Sequence, residues 1–234
     1  MLARLTLVAF LSLVAGPELM PAPIMATVAA QQPRKIFISV DMEGITGVVQ
    51  PAQLGPEGFE YQRAREWMTG EVNAAIAGIR DAGPADIVVC DSHGNGQSVL
   101  IDLLPDDVRI VRGFPRPMEM MQGIDESFAA AVFIGYHASE WTANAVRGHT
   151  ISSARLLGVK LNGQEVSEGI YNAAPYRMTA PIALEVGFKL TIDAERAAFV
   201  PGLTRSDAHS VKGTFKDMTE ITRLLQVLTS LELP

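Results

Sequence analysis

The sequence predicts an α/β fold with three layers, a mostly parallel central sheet and a functional site at the carboxyl ends of its strands. Three apolar runs carry this expectation. Ile36-Phe-Ile-Ser-Val40 leads into Asp41-Met-Glu43-Gly44, Ile87-Val-Val-Cys90 into Asp91-Ser-His93-Gly94, and Ala131-Val-Phe-Ile-Gly135 into Tyr136-His137-Ala138. Each run has the length of a buried strand and ends at a glycine-containing loop. Parallel neighbours end on one rim of a sheet, which is where open α/β sheets form ligand sites. Asp41, Glu43, His93 and His137 then converge on that rim, although they are scattered over almost a hundred positions.

The remaining elements follow in chain order. Met1-Leu-Ala-Arg4 is a short positive start, and Leu5 to Ala15 is an uncharged apolar run broken by Pro17, Pro21 and Pro23. Val28-Ala29-Ala30 supplies small residues of the kind a signal peptidase needs. The run is too short to cross a bilayer, and no Cys follows it to take a lipid. Residues 1–30 are therefore expected to be a secretory signal peptide, and the protein to be periplasmic or secreted. Residues 31–234 are expected to form a single α/β metal-dependent domain, long enough for a sizeable core. Removing Arg4 and Glu18 with the leader leaves the net charge at −7. An acidic chain without a Lys/Arg cluster argues against nucleic acid and against membrane surfaces after signal cleavage. Cys90 is the single cysteine, so no internal disulfide is available, and its place in an apolar run makes it a buried small side chain.

After the first strand, a Gly/Pro-punctuated loop leads to an amphipathic helix over about Glu60 to Ala82, with Ala64, Met68, Val72, Ile76 and Ile79 at helical spacing. Gly83-Pro84 stops it, and the second strand follows at once, so this stretch forms a βαβ unit with a right-handed crossover. A short strand is expected at Val108 to Val111, and then the third metal-bearing strand. Leu157 to Val166 read as a hairpin around Asn162-Gly163, and a helix starts near Ser167. The tail reads as a strand (Ile182 to Leu190), a short helix (Ala194 to Phe199) and an amphipathic helix (Lys216 to Leu231).

Taken singly, the polar residues say little. Asp41 and Glu43 alone read as a helix cap or solvated loop charges, and His93 or His137 alone as structural histidines. Their shared position behind apolar strands changes the odds, and imidazole with carboxylate suits zinc or another first-row divalent ion. Downstream lie Arg147-Gly-His149-Thr150 and Val166-Ser-Glu168-Gly. Alone, Glu168 is best read as a charge complementing a helix N-terminus. His149 divides evenly between a surface loop histidine and a catalytic one.

In order, Ser39-Val-Asp41-Met-Glu43-Gly44, Asp91-Ser-His93, Gly135-Tyr-His137-Ala138, Gly148-His149 and the Glu168 segment resemble the zinc-dependent D-aminopeptidase family (peptidase family M55). The resemblance spans Arg34 to about Leu231. It implies a site for two Zn2+ per chain, with Asp41 bridging, Glu43 and His93 completing one metal's ligands, and His137 and Glu168 the other's. His149 matches the family's catalytic histidine, whether as acid/base group or as nucleophile. The implied activity is hydrolysis of the N-terminal peptide bond of short, D-amino-acid-containing peptides through a metal-activated water. A ring-shaped homo-oligomer is implied as well. Two metals about 3.5–4 Å apart need a shared anionic ligand, which a bridging Asp supplies. Asp91 either orients a ligand or caps its strand.

The chain departs from the family after Glu168. Members continue into a further strand, a Gly-Asp-Asp loop and a helix, whereas here Tyr171-Asn-Ala-Ala-Pro175-Tyr-Arg-Met178 leads almost at once to Pro181. Several dozen family residues are thus missing between about Ala174 and Met178, which would expose apolar surface and a strand edge. All five expected ligands precede the gap. The alternatives are a metal-binding non-catalytic member of the family and, more weakly, a two-metal phosphoesterase, which lacks a basic cluster to receive phosphate.

Overall fold

The computed structural model describes residues 32–152, 154–173, 182–215 and positions 220, 221, 224, 225, 227 and 228. The expected signal peptide, the expected deletion near 174–178 and much of the terminal helix fall outside the described residues.

The half expected to carry the site is a parallel sheet of β1 (Arg34–Val40), β2 (Ala85–Asp91), β3 (Arg109–Val111) and β4 (Ala130–Ile134), in the order β3-β2-β1-β4. The three strands expected to carry the site are therefore adjacent. Register places Val40 beside both Asp91 and Ile134, so the three chains leave the sheet at one level.

Side-chain alternation sorts each strand between two faces. Ile36, Ile38 and Val40 of β1 and Ile87 and Val89 of β2 pack with buried Ala64, Met68, Val72 and Ile76 of α1 (Tyr61–Asp81). Gly83, at φ +130, and Pro84 end that helix, as their order in the sequence implies. On the other face Phe37, Val88 and the buried Cys90 pack against Met121, and the Phe128 ring meets Phe37 edge-on at 5.7 Å. The layer on this face comes from residues 112–128, with a 3-10 turn at Glu119–Met121.

A second sheet was only half visible in the sequence. It comprises β5 (Leu156–Leu161), β6 (Gln164–Val166), β7 (Ile182–Phe188), β8 (Leu203–Arg205) and β9 (Ser210–Phe215). Its order is β6-β5-β7-β9-β8, antiparallel throughout. The β5–β6 hairpin turns on Asn162-Gly163 at φ +50 and +78, the two positive dihedrals a tight hairpin turn requires. Leu156, Val159, Leu184, Val186 and Phe188 form its core with Ala194 and Ala197 of α3 (Thr191–Ala197) and with Ile221, Leu224, Leu225 and Leu228. The last four carry the spacing expected of the terminal helix.

Two expectations need correction. The β8–β9 hairpin was not anticipated, because Thr204 to Ser210 is polar and only Leu203, Ser210 and Val211 of the two strands are buried. The short helix begins at Thr191 and not at Ala194, with Asp193 in its first turn, where a carboxylate complements the helix dipole.

Candidate metal centre

The approach of the β1 and β4 loops sets the geometry. Asp41 N–H donates to the Ile134 carbonyl at 2.9 Å and Gly44 N–H to the Gly135 carbonyl at 2.7 Å. The crossing is so close that a Cβ on Gly135 would collide with the Asp41 carbonyl oxygen, and one on Gly44 with the Tyr136 carbonyl oxygen. Gly135 also stands at φ +68, which a side chain resists. These glycines swing His137 over Asp41.

All six expected residues come together. His93 Nδ1 lies 3.2 Å from Asp41 Oδ1 and 2.9 Å from Glu43 Oε2. Its Nε2 lies 2.7 Å from the Leu54 carbonyl, which can only accept, so Nε2 carries the hydrogen and Nδ1 faces the carboxylates. His137 is turned the opposite way: Nδ1 donates to the Ala138 carbonyl at 3.0 Å. Its Nε2 lies 3.5 Å from Asp41 Oδ2 and 3.3 Å from Glu168 Oε2. The two Asp41 oxygens thus face different histidines. Glu168 opens α2 (Glu168–Ala173), and its Oε1 accepts from the Ile151 N–H. His149 donates Nδ1–H to the Arg147 carbonyl at 2.8 Å, leaving Nε2 3.9 Å from Glu43 Oε1. Its ring stacks on His137 at 3.7 Å between centroids and 9° between planes.

Asp41, Glu43 and Glu168 thus share a buried space, and among the described residues no Lys or Arg ion pair reaches them. Burial, reinforced by the Glu43 charge, pushes Asp41 up to about 8. Burial also works to raise Glu43, but the His93 hydrogen bond and charge hold it at about 2. Burial would lower both histidines. The carboxylates override it, carrying His93 to about 11 through Asp41 and Glu43, and His137 to about 9 through Glu168 and Asp41. Protons on these groups supply the positive charge that buried carboxylates demand.

Divalent cations fit the same demand better. The donors are carboxylate oxygens and imidazole nitrogens, and the buried His137 Nε2 has no hydrogen-bond partner. Ligating atoms of Asp41, Glu43 and His137 lie within 4.8 Å of one another, as do those of His137, His149 and Glu168. His149 is therefore also within ligand reach.

Several contributors were missed. Ser39 Oγ meets Ser92 Oγ at 2.8 Å and Tyr136 OH at 2.7 Å and donates to the Met120 carbonyl at 2.7 Å, a buried network beneath the site. Hydroxyls inside or just after otherwise apolar strand runs were the available signal. Asp91 acts as a strand-end cap: its Oδ2 accepts the Val99 N–H at 2.7 Å, and burial raises its pKa. A cavity of about 320 Å³ opens over the cluster, lined by Asp41, Glu43, His93, His149 and Glu168 and also by Glu119 and Phe114.

The family model described as D-aminopeptidase (peptidase M55) matches residues 34–176 and 169–227. A D-aminopeptidase of Bacillus subtilis (strain 168) is 32% identical over 142 residues, which cover 59% of this chain and 50% of that protein. The chain thus spans about half the length of that curated relative. Among solved structures, the Zn-dependent D-aminopeptidase DppA from Bacillus subtilis, described as a self-compartmentalizing protease, aligns with a TM-score of 0.77 and 23% identity. That alignment covers 84% of this chain and 97% of that one, and it shows a shared fold. Because the two family stretches together take in all of residues 34–227 and every side chain of the cluster, the chain belongs to the D-aminopeptidase family, peptidase M55.

Proposed function

We propose that this protein is an exported aminopeptidase that removes the N-terminal residue of short peptides, D-residues included, with two zinc ions at the rim of its parallel sheet. One observation carries the reading: five buried or nearly buried ligand side chains from three strand ends and one helix meet beside a further histidine, His149, that lines the same cavity. Asp41, with one oxygen toward each imidazole, would be the residue shared by both metals. Glu43 and His93 would hold one of them with it, and His137 and Glu168 the other.

Bound metals would polarise the scissile carbonyl and lower the pKa of the attacking water. The chain's own residues orient and move protons. The Leu54 and Ala138 carbonyls fix which nitrogen of His93 and His137 faces the site. The Arg147 carbonyl holds His149 with Nε2 toward the cavity, placed to take a proton and pass it to the leaving amine. Stacking against His137 fixes the plane of that ring. A phosphoesterase is disfavoured because neither Lys nor Arg lines the cavity among the described residues.

Substrate chirality rests on the relatives' names, and a homo-oligomer on the self-compartmentalizing relative. The two overlapping family matches, 34–176 and 169–227, are consistent with an internal gap in the family pattern near residues 174–178, whether the chain is a short variant or a deletion product. Export rests on residues 1–30, and amino-terminal sequencing of the protein from a periplasmic fraction tests it.

The test of the activity is metal content measured beside hydrolysis of D- and L-aminoacyl amides. About two metals per chain, with activity abolished by chelation, is the expected result. A well-folded chain that takes up no metal would sink the reading.

A further inference from the structure

Four carboxylates line the cavity: Asp41, Glu43, Glu168 and Glu119. The first three are assigned to metals, which leaves Glu119 as the lining carboxylate, among the described residues, that no metal claims. Its backbone is held at φ +47, a left-handed conformation unfavourable for a residue with a side chain. Such strain persists only where the surroundings over-determine it. Here they do. The next residue, Met120, gives its carbonyl to Ser39 Oγ at 2.7 Å and Ser92 Oγ at 3.1 Å, and Met120 and Met121 are buried. Gln122 Oε1 accepts the Met118 N–H at 3.0 Å from the other end of the turn. The turn is thus fastened beneath the two strands that deliver Asp41 and His93.

The carboxylate itself is uncommitted. Among the described residues no hydrogen bond or ion pair engages it; burial raises its pKa, and Arg116 and Glu168 act on it through charge alone, the first lowering and the second raising it. Arg116 is turned elsewhere, donating to the Asp91 carbonyl and lying 3.9 Å from the centroid of the Phe114 ring. A partly buried carboxylate carries a desolvation cost that a cationic hydrogen-bond donor offsets most fully.

We propose that Glu119 receives the free α-ammonium group of the substrate and so restricts the site to amino-terminal residues. The inference rests on the aminopeptidase reading and deepens it. An ammonium gives Glu119 a charge-assisted hydrogen bond, whereas an internal or acylated nitrogen brings no charge and leaves the carboxylate unpaired. Phe114 and Ile151, on the same cavity wall, offer apolar surface to the residue's side chain.

The test uses the metal-loaded full chain with D-alaninamide, its N-acetyl derivative and D-alaninol, an amine with no bond to hydrolyse. Wild type is expected to cleave only the free amine and to bind D-alaninol by calorimetry. Glu119→Gln should keep its metals, raise KM for D-alaninamide about 10–100-fold with kcat far less affected, and weaken D-alaninol binding by a similar factor. Glu119→Gly, which also relieves the positive φ, should show the same KM rise with an equal or higher Tm. Unchanged KM and D-alaninol affinity in both variants, beside an active wild type, would overturn the inference alone. Loss of metal in both variants would make Glu119 a ligand and overturn it too. A wild type that binds metal but cleaves nothing would overturn the aminopeptidase reading and this inference with it.

Discussion

The two sheets of this molecule meet their structural needs in opposite ways. In the parallel sheet, β1 and β2 are largely buried and β4 pairs with β1 in register, and the polar residues begin just as the pairing ends: Asp41, His93 and His137 follow Val40, Asp91 and Ile134. The antiparallel sheet has more strands and its own core around Leu156, Leu184, Val186 and Phe188, yet of the expected site residues its half supplies Glu168 alone. One sheet is a rim for ligands, and the other, with a core of its own, leads through β6 into the helix carrying the last of them. Parallel strands with a common exit level make a ligand site almost unavoidable, while an antiparallel sheet ends its strands alternately at both edges.

Variants that strike one half and not the other probe this division. Asp41→Asn should have the largest effect, loss of both metals and a fall in hydrolysis of more than about 100-fold, because it removes the ligand common to both ions. Glu168→Gln should release one metal and retain the other. If both metals leave with equal ease from Glu168→Gln, the two halves do not divide the ligands as proposed. Next, His149→Ala should lower kcat about 10²–10⁴-fold with metal content intact, whereas His137→Ala should lose metal. Equal metal loss from the two would make His149 a ligand.

The cores come next. Phe37→Ala and Phe188→Ala each delete a fully buried ring, one per sheet, and each should cost about 3–5 kcal/mol in denaturant unfolding. Only Phe37→Ala should also weaken metal retention, since β1 carries Asp41. Ser39→Ala, which cuts the hydroxyl network under the rim, is expected to reduce metal affinity about tenfold. Metal uptake should also depend on pH. His93 and His137 are carried up to about 11 and about 9 by their carboxylates, so metal uptake must displace protons. Raised pKa values mean the protons are held at neutrality and lost as pH rises, so metal affinity should climb between roughly pH 6 and 9. Calorimetry in buffers of different ionisation enthalpy would count the protons released, and a pH-independent affinity would contradict the shifts.

Legibility in the sequence followed the same division. Apolar runs that end in glycine and a metal-binding side chain are local signals, so β1, β2, β4 and the residues after them could be read directly. Glu168 and His149 could not, because their placement depends on where a second sheet sets α2 and the 139–151 loop. Only family likeness brought them in. The β8–β9 hairpin escaped because an edge hairpin with polar strands has no hydrophobic period to detect. Glu119 escaped because nothing in Pro117-Met-Glu-Met-Met121 announces a backbone at positive φ.

The three site imidazoles are each oriented by a main-chain carbonyl, that of Leu54, Ala138 or Arg147. A peptide oxygen survives any substitution that leaves the backbone in place. Residues 54, 138 and 147 can therefore drift in identity without altering which nitrogen each histidine presents, and the centre can be inherited intact by sequences that share little else. The same economy makes the site indifferent to side-chain redesign at those positions and sensitive to any insertion that moves the chain there.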